Sequence, residues 1–244
     1  MLYVPSETAV LKEVIVHTPG PEVSKVNPEI KDDLLFDDII FETDARQEHL
    51  DMLKIFQVAM GKEGRIHEIT DLAREVFNQE DARAFFVERL IKTSKGYNLY
   101  PLEKELLALE PDEMVRFIIE GTTGRLPHVL MFPSPNLLFT RDLAAVVGNS
   151  IVVSKAAKEA RWRESLITNT LIRFHPLFES IRDNAIHVGG KNSIEGGDIL
   201  VAAPNIAMIG MSERTSFSAL HSVAEQLLDH GMEYIVAVDI PKQR

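Results

Sequence analysis

The sequence predicts an α/β protein assembled from strand–strand–helix–strand units in a circular array, with a helical block inserted after the first unit. Three observations carry this expectation. An order of two strand-like runs, a helical run and a further strand-like run recurs three times along the 244 residues. Between the first and second occurrences the pattern changes to consecutive helical segments. The composition, 45% hydrophobic and 26% charged, is that of a globular chain able to bury a sizeable core. The segments are too divergent for a sequence repeat, so the argument rests on the order of elements.

In the first unit, Glu13–His17 and Leu34–Ile40 read as strands. Asp44 with Gln47 three residues on has capping-box spacing for a helix running to about Met60, and Gly61 stops it. Arg65–Ile69 is the closing strand. In the second unit Leu137–Thr140 and Ala144–Val147 are strand-like, and Gly148-Asn149 is a turn before a strand at Ile151–Ser154. A helix is expected from about Lys155 to Phe174, ended by His175-Pro176 because proline cannot continue it. Ala185–Val188 follows as a short strand. In the third unit Ile199–Ala203 and Ile206–Gly210 pair across Pro204-Asn205. Thr215 to about His230 reads as a helix ending at Gly231, and Glu233–Val238 as a strand.

Residues 70–127 form the helical block, with helices expected at Asp71–Phe77, Asp81–Lys92, Pro101–Ala108 and Pro111–Glu120. Pro111 occupies a first helical position, Asp112 and Glu113 sit in the first turn where the helix dipole favours acids, and Gly121 is the stop. The expected division is therefore 1–69 as the first unit, 70–127 as the insertion and 128–244 as the second and third units.

A net charge of −11, spread along the chain, argues against nucleic acid or an anionic membrane as partner and fits a cationic ligand. No apolar stretch reaches bilayer-spanning length, and Met1 to Val16 lacks the basic start and apolar run of a secretory signal. The cytoplasm is the expected compartment. The absence of cysteine excludes disulfides and thiolate zinc sites, and it removes the strongest nucleophile available at neutral pH. The eight histidines show no metal spacing, and His17 and His175 read as structural. No Walker loop, dinucleotide glycine fingerprint or nucleophile-elbow serine is present, and no cofactor is expected.

Two acidic motifs carry the chemistry that can be read from residue types. Asn136-Leu137-Leu138-Phe139-Thr140-Arg141-Asp142 and Ile194-Glu195-Gly196-Gly197-Asp198 put carboxylates beside strand-like runs, where α/β proteins place reactive groups. Two carboxylates facing one pocket repel unless a cation lies between them. A guanidinium suits that place because its planar fork of donors matches carboxylate oxygens in pairs. The competing reading is that Arg141 pairs with a neighbouring acid on the surface and Gly196-Gly197 merely turns the chain. Arg161 and Arg214 form a second set able to hold a substrate carboxylate. Against this, Arg161 is also readable as part of a solvated helix face and Arg214 as a helix-entry salt bridge.

Those two motifs, together with Ile209-Gly210-Met211-Ser212-Glu213-Arg214 and Leu34-Leu35-Phe36-Asp37-Asp38, resemble the arginine deiminase family, and the resemblance covers nearly the whole chain. The separations from Asp142 to Arg161 and from Glu195 to Arg214 match the family as well. The resemblance implies a pentein fold, a five-unit α/β propeller, of which this chain holds about three units plus the insertion. It implies cofactor-free hydrolysis of L-arginine to citrulline and ammonia, with a cysteine thiolate attacking the guanidinium carbon and a histidine moving protons. By motif, Asp142 and Glu195 would grip the guanidinium, and Arg161 and Arg214 would bind the substrate carboxylate. Asn136 and Phe139 would line the pocket, and Asp198 would support the turn that aims Glu195.

The resemblance also sets expectations about what these residues lack. In the family, the run Ile240–Arg244 leads into a His-Leu-Asp motif, and the cysteine follows near the C-terminus. The chain is therefore expected to be a truncated deiminase, without turnover and poorly folded on its own. The alternatives are a catalytically dead arginine-binding module, a split enzyme completed by a C-terminal fragment, or an amidinotransferase. L-arginine is the expected ligand, with a homo-oligomer or the complementing fragment as partner.

Overall fold

The structure is a computed structural model that describes residues 2–94, 96–126 and 131–241. The expected boundary of the insertion at residues 127–128 and the final Lys242-Gln243-Arg244 lie outside the described residues. The chain forms two compact units, Val10–Thr140 and Met1–Ala9 with Arg141–Arg244.

In the unit Val10–Thr140, β1 (Glu13–Val16) and β2 (Arg65–Glu68) pair in parallel, with Glu13 opposite Arg65 and Val16 opposite Glu68. The connection carries the helix Glu42–Met60, which stops at Gly61 with φ 72°. That helix begins earlier than expected and uses no side-chain cap. Asp44 lies inside its first turn, where the dipole favours an acid, and Gln47 donates instead to Asp51 at 3.2 Å.

The expected strand Leu34–Ile40 does not form. Its amides turn back locally, from Leu34 to Ile30 at 3.0 Å and from Phe36 to Lys31 at 2.9 Å, with Leu35 held at φ 63°. Leu34 and Phe36 instead bury themselves with Val26, against Ile30 and Ile40. Their alternating apolar pattern thus serves a small hydrophobic cluster rather than a ladder.

The helices expected in the insertion are present as Ile69–Phe77, Glu80–Thr93, Glu103–Leu107 and Pro111–Glu120, with a 3-10 turn at Tyr100–Leu102. Ile69 starts a helix instead of ending β2. Pro111–Glu120 has Pro111 in its first turn and a reciprocal capping box between Glu110 and Glu113. Gly121 ends it at φ 80°, where a Cβ would run into the Met131 carbonyl. The apolar faces of these helices meet in a core in which Phe77 and Phe86 pack edge to face at 5.1 Å.

In the second unit, β3 (Ala144–Val147), β4 (Ser150–Val153) and β5 (Ala185–His187) form one sheet. A second sheet holds β6 (Ile199–Ala203), β7 (Ile206–Met211) and β8 (Tyr234–Asp239). Each sheet has an antiparallel pair followed by a helix and a parallel third strand, as the repeated pattern predicts. Gly148, at φ 58°, supplies the first position of the tight turn between β3 and β4. The helices Trp162–Phe174 and Phe217–Asp229 make the crossovers.

Two expectations need correcting here. The run Leu137–Thr140 is not a strand: Pro135–Leu138 is a 3-10 turn and Thr140–Leu143 a single helical turn, because Pro135 presets the backbone for helical entry. The helix expected from Lys155 starts only at Trp162, because Lys155 exchanges both backbone hydrogen bonds with Ile194, at 2.9 and 3.1 Å, and is held extended. One core joins the two sheets, drawing on Val152, Ile186, Ile199, Val201, Ile209 and Val223. Among the described residues the strands make three separate sheets, and no helix is long and apolar enough to cross a membrane.

Candidate functional site

Four of the expected site residues converge within the unit that holds Arg141–Arg244. Asp142 lies in the single turn Thr140–Leu143, immediately before β3. Arg161 closes the 3-10 turn Glu159–Arg161 and enters the helix Trp162–Phe174. Glu195 follows Ile194, whose pairing with Lys155 fixes the chain there, and the turn Gly196–Asp198 then leads into β6. Arg214 lies beyond the end of β7, in the turn before the helix Phe217–Asp229.

Arg161 is the hub. Its side chain is almost wholly buried and meets three carboxylates. Nε donates to Glu164 Oε2 at 2.9 Å, and Nη1 donates to Asp142 Oδ2 at 2.6 Å and to Glu195 Oε2 at 3.4 Å. Burial opposes the Arg161 charge, but Glu164 and Asp142 outweigh it and hold its pKa above the ordinary arginine value. Arg214, half-exposed, donates from Nη1 to the same Glu195 Oε2 at 2.9 Å. Glu195 is buried, and its other oxygen, Oε1, meets no hydrogen-bond donor among the described residues. A buried carboxylate oxygen without a donor is costly, so this atom marks a place suited to a further N–H.

The Gly-Gly pair does more than turn the chain. A Cβ at Gly196 would strike the Arg141 carbonyl, and one at Gly197 would strike Asp142 Oδ1. At Gly196 the obstacle is backbone, so only glycine lets the second motif lie directly on the first there, whereas at Gly197 the obstacle is a side chain that can move. Ser154 Oγ accepts the Gly196 amide at 3.0 Å. Thr215 Oγ1 accepts the Glu195 amide at 3.3 Å and donates to Asp198 Oδ2 at 2.5 Å, while Ser212 Oγ donates to the same oxygen at 2.7 Å. Asp198 thus braces the turn that carries Glu195.

Asn136 and Phe139 belong to the other unit. Asn136 is buried and donates from Nδ2 to the Leu34 carbonyl at 2.7 Å, while Phe139 is half-exposed. Arg141 pairs with Glu7. The sequence reading passed over Glu7, Glu164, Ser154 and Thr215. Of these, only Glu164 carried a local signal, lying one helical turn from Arg161.

Elsewhere, His17 is buried between two carboxylates, with Nε2 at 3.1 Å from Glu22 and Nδ1 at 3.1 Å from Glu68. Burial opposes its charge, yet its bonds to Glu22 and Glu68 push its pKa up to about 9. No group of described residues has the arrangement of a metal site.

The arginine deiminase family profile matches residues 118–244. The arginine deiminase of Limosilactobacillus fermentum is 34% identical over 98% of this chain, and that of Pediococcus pentosaceus is 32% identical over 98%. The chain spans 63% of the length of these relatives. A dimethylarginine dimethylaminohydrolase from Pseudomonas aeruginosa, solved with citrulline, superposes with a TM-score of 0.53 at 16% identity, covering 96% of this chain and 62% of that one. An amidinotransferase from Microseira wollei gives a TM-score of 0.50 at 12% identity, covering 97% and 62%. These two likenesses are of fold, and they agree with the α/β architecture described above. The profile matches more than half of the chain in a segment that holds the convergent carboxylates and arginines, and the chain belongs to the arginine deiminase family.

Proposed function

We propose that these residues hold L-arginine for deimination to L-citrulline and ammonia. The observation that carries this reading is the meeting of Asp142 and Glu195 on one guanidinium nitrogen, with Glu195 Oε1 still facing no donor. Two carboxylates held close together, Asp142 and Glu195, favour a positive charge between them. A substrate guanidinium supplies that charge and donates in the plane of the carboxylates.

In this reading Asp142 and Glu195 grip and orient the guanidinium, and Asp198 supports the turn beneath Glu195. Buried Arg161 keeps the carboxylates together against their repulsion. Arg214, the more exposed cation, takes the substrate carboxylate. Chemistry needs a thiolate to attack the guanidinium carbon, a proton for the departing ammonia, and water to release citrulline and regenerate the thiolate. The 244 residues contain no cysteine, so the thiolate comes from outside them, in the five-unit propeller that the family implies.

The lack of cysteine also favours a second reading, an arginine-binding module without chemistry. Incubating the chain with arginine, alone and with a family segment carrying the cysteine and the His-Leu-Asp motif, separates the two. Citrulline formed only in the mixture supports the deiminase; binding without turnover in either supports the module. Turnover by the 244 residues alone contradicts both.

A further inference from the structure

We propose that Glu7 and Arg141 are positioning residues that set the separation between the Asp142 and Glu195 carboxylates. This rests on the reading of those carboxylates as a guanidinium grip. Arg141 is bonded in the chain to Asp142, and its side chain reaches the other motif, donating from Nε to the Gly196 carbonyl at 3.2 Å. Gly196 is in turn bonded to Glu195. Arg141 Nη2 also donates to the Ile199 carbonyl, at the start of β6. One guanidinium thus spans the turn between Glu195 and β6 from the residue next to Asp142.

Glu7 holds that guanidinium in place. Its two oxygens take Arg141 Nη2 at 2.7 Å and Nη1 at 3.1 Å, a two-pronged pairing that fixes the plane as well as the position of the fork. Glu7 is itself tied to β6, giving its amide to the Val201 carbonyl at 2.9 Å and receiving the Val201 amide on Oε1 at 3.0 Å. Three residues earlier, Val4 exchanges backbone bonds with Gly148 at 3.1 and 3.0 Å. The N-terminal segment therefore laces the β3–β4 turn to β6 and ends on Arg141. The bond from Arg141 also holds the Glu7 carboxyl below its usual range, as a persistent pairing requires. A half-exposed ion pair alone contributes little. What distinguishes this one is that it orients a side chain already bonded to both motifs.

The test combines two readouts on the purified chain. Arginine affinity is measured by calorimetry for the wild type, Glu7→Gln, Asp142→Glu and the double variant, and hydrogen exchange is followed at the amides of residues 196–198. Asp142→Glu keeps the charge but moves it by one methylene. Glu7→Gln is expected to weaken arginine binding roughly fivefold in the wild type and hardly at all with Asp142→Glu, because coupled residues are not additive. Exchange at residues 196–198 should rise in Glu7→Gln. Arg141→Lys, which keeps the charge without the fork, should behave like Glu7→Gln. Equal losses in both backgrounds with unchanged exchange would overturn the proposal, as would full function in Arg141→Lys. If the wild type takes no arginine, the guanidinium reading fails and exchange alone decides: acceleration upholds the positioning role and no change overturns it.

Discussion

Arg161 Nη1 lies 2.6 Å from Asp142 Oδ2 and 3.4 Å from Glu195 Oε2, so one buried guanidinium joins two acidic motifs that are far apart in the chain. The protein thereby demonstrates with its own side chain that this pair of carboxylates accepts a guanidinium. The carboxylates also depend on Arg161, since buried charges of one sign need a partner.

Removing one partner from this cluster should damage it in proportion to burial. Glu195→Gln leaves Arg161 and Arg214 short of a shared buried acceptor and is expected to cost about 3 kcal/mol in unfolding free energy. Asp142, a quarter exposed, should cost about 1 kcal/mol as Asp142→Asn because water screens the loss. Both variants should bind arginine at least tenfold more weakly. Denaturant titration and calorimetry on the same samples check the contrast.

The two glycines should separate folding from binding. Gly196→Ala drives a methyl into the Arg141 backbone and should destabilise the chain by about 1–3 kcal/mol. Gly197→Ala meets only the movable Asp142 carboxylate, so its main effect should be weaker arginine binding. Thermal melts that rank the two equally would contradict this division.

His17 predicts a pH dependence with a definite sign. Its pKa is raised from an ordinary 6.5 to about 9, against the opposing effect of burial, by Glu22 and Glu68. The folded state therefore holds the proton more tightly than the unfolded chain. The stabilisation is full below about pH 6.5, shrinks as pH rises and is gone above about pH 9, with a total on the order of 3 kcal/mol. Denaturation midpoints from pH 6 to pH 10 should fall in the wild type, and His17→Gln should flatten that slope.

Thr215 should prove more important than its small side chain suggests. Its hydroxyl accepts the Glu195 amide and donates to Asp198, so Thr215→Val leaves two polar groups without this partner. A loss of about 1–3 kcal/mol in stability is expected, with arginine binding weakened as well.

The second and third units were legible because their strands are short runs of Val, Ile and Ala bounded by Gly148-Asn149 and Pro204-Asn205, where local turn chemistry and tertiary pairing agree. Leu34–Ile40 misled because two buried side chains in a turn-rich segment, Leu34 and Phe36, have the same spacing as a strand face. Leu137–Thr140 misled because its apolar residues outweighed Pro135 in the reading, whereas Pro135 decides the backbone. At the site, residue types identified which carboxylates could hold a cation. They did not reveal that Arg161 lies on both, because that contact depends on Lys155 pairing with Ile194 and delaying the helix. Glu7 was invisible because its partners lie more than a hundred residues away and no local pattern marks it.

The central claim is that Asp142 and Glu195 form a guanidinium grip, and titration calorimetry with L-arginine and L-citrulline tests it most directly. The two ligands differ at the end that the carboxylates would hold, a charged guanidinium in one and a neutral ureido group in the other. The account predicts saturable arginine binding, at least tenfold weaker binding of citrulline, and collapse of that preference in Asp142→Asn. A folded, monodisperse chain that takes up neither ligand, or that binds both equally well, would contradict it.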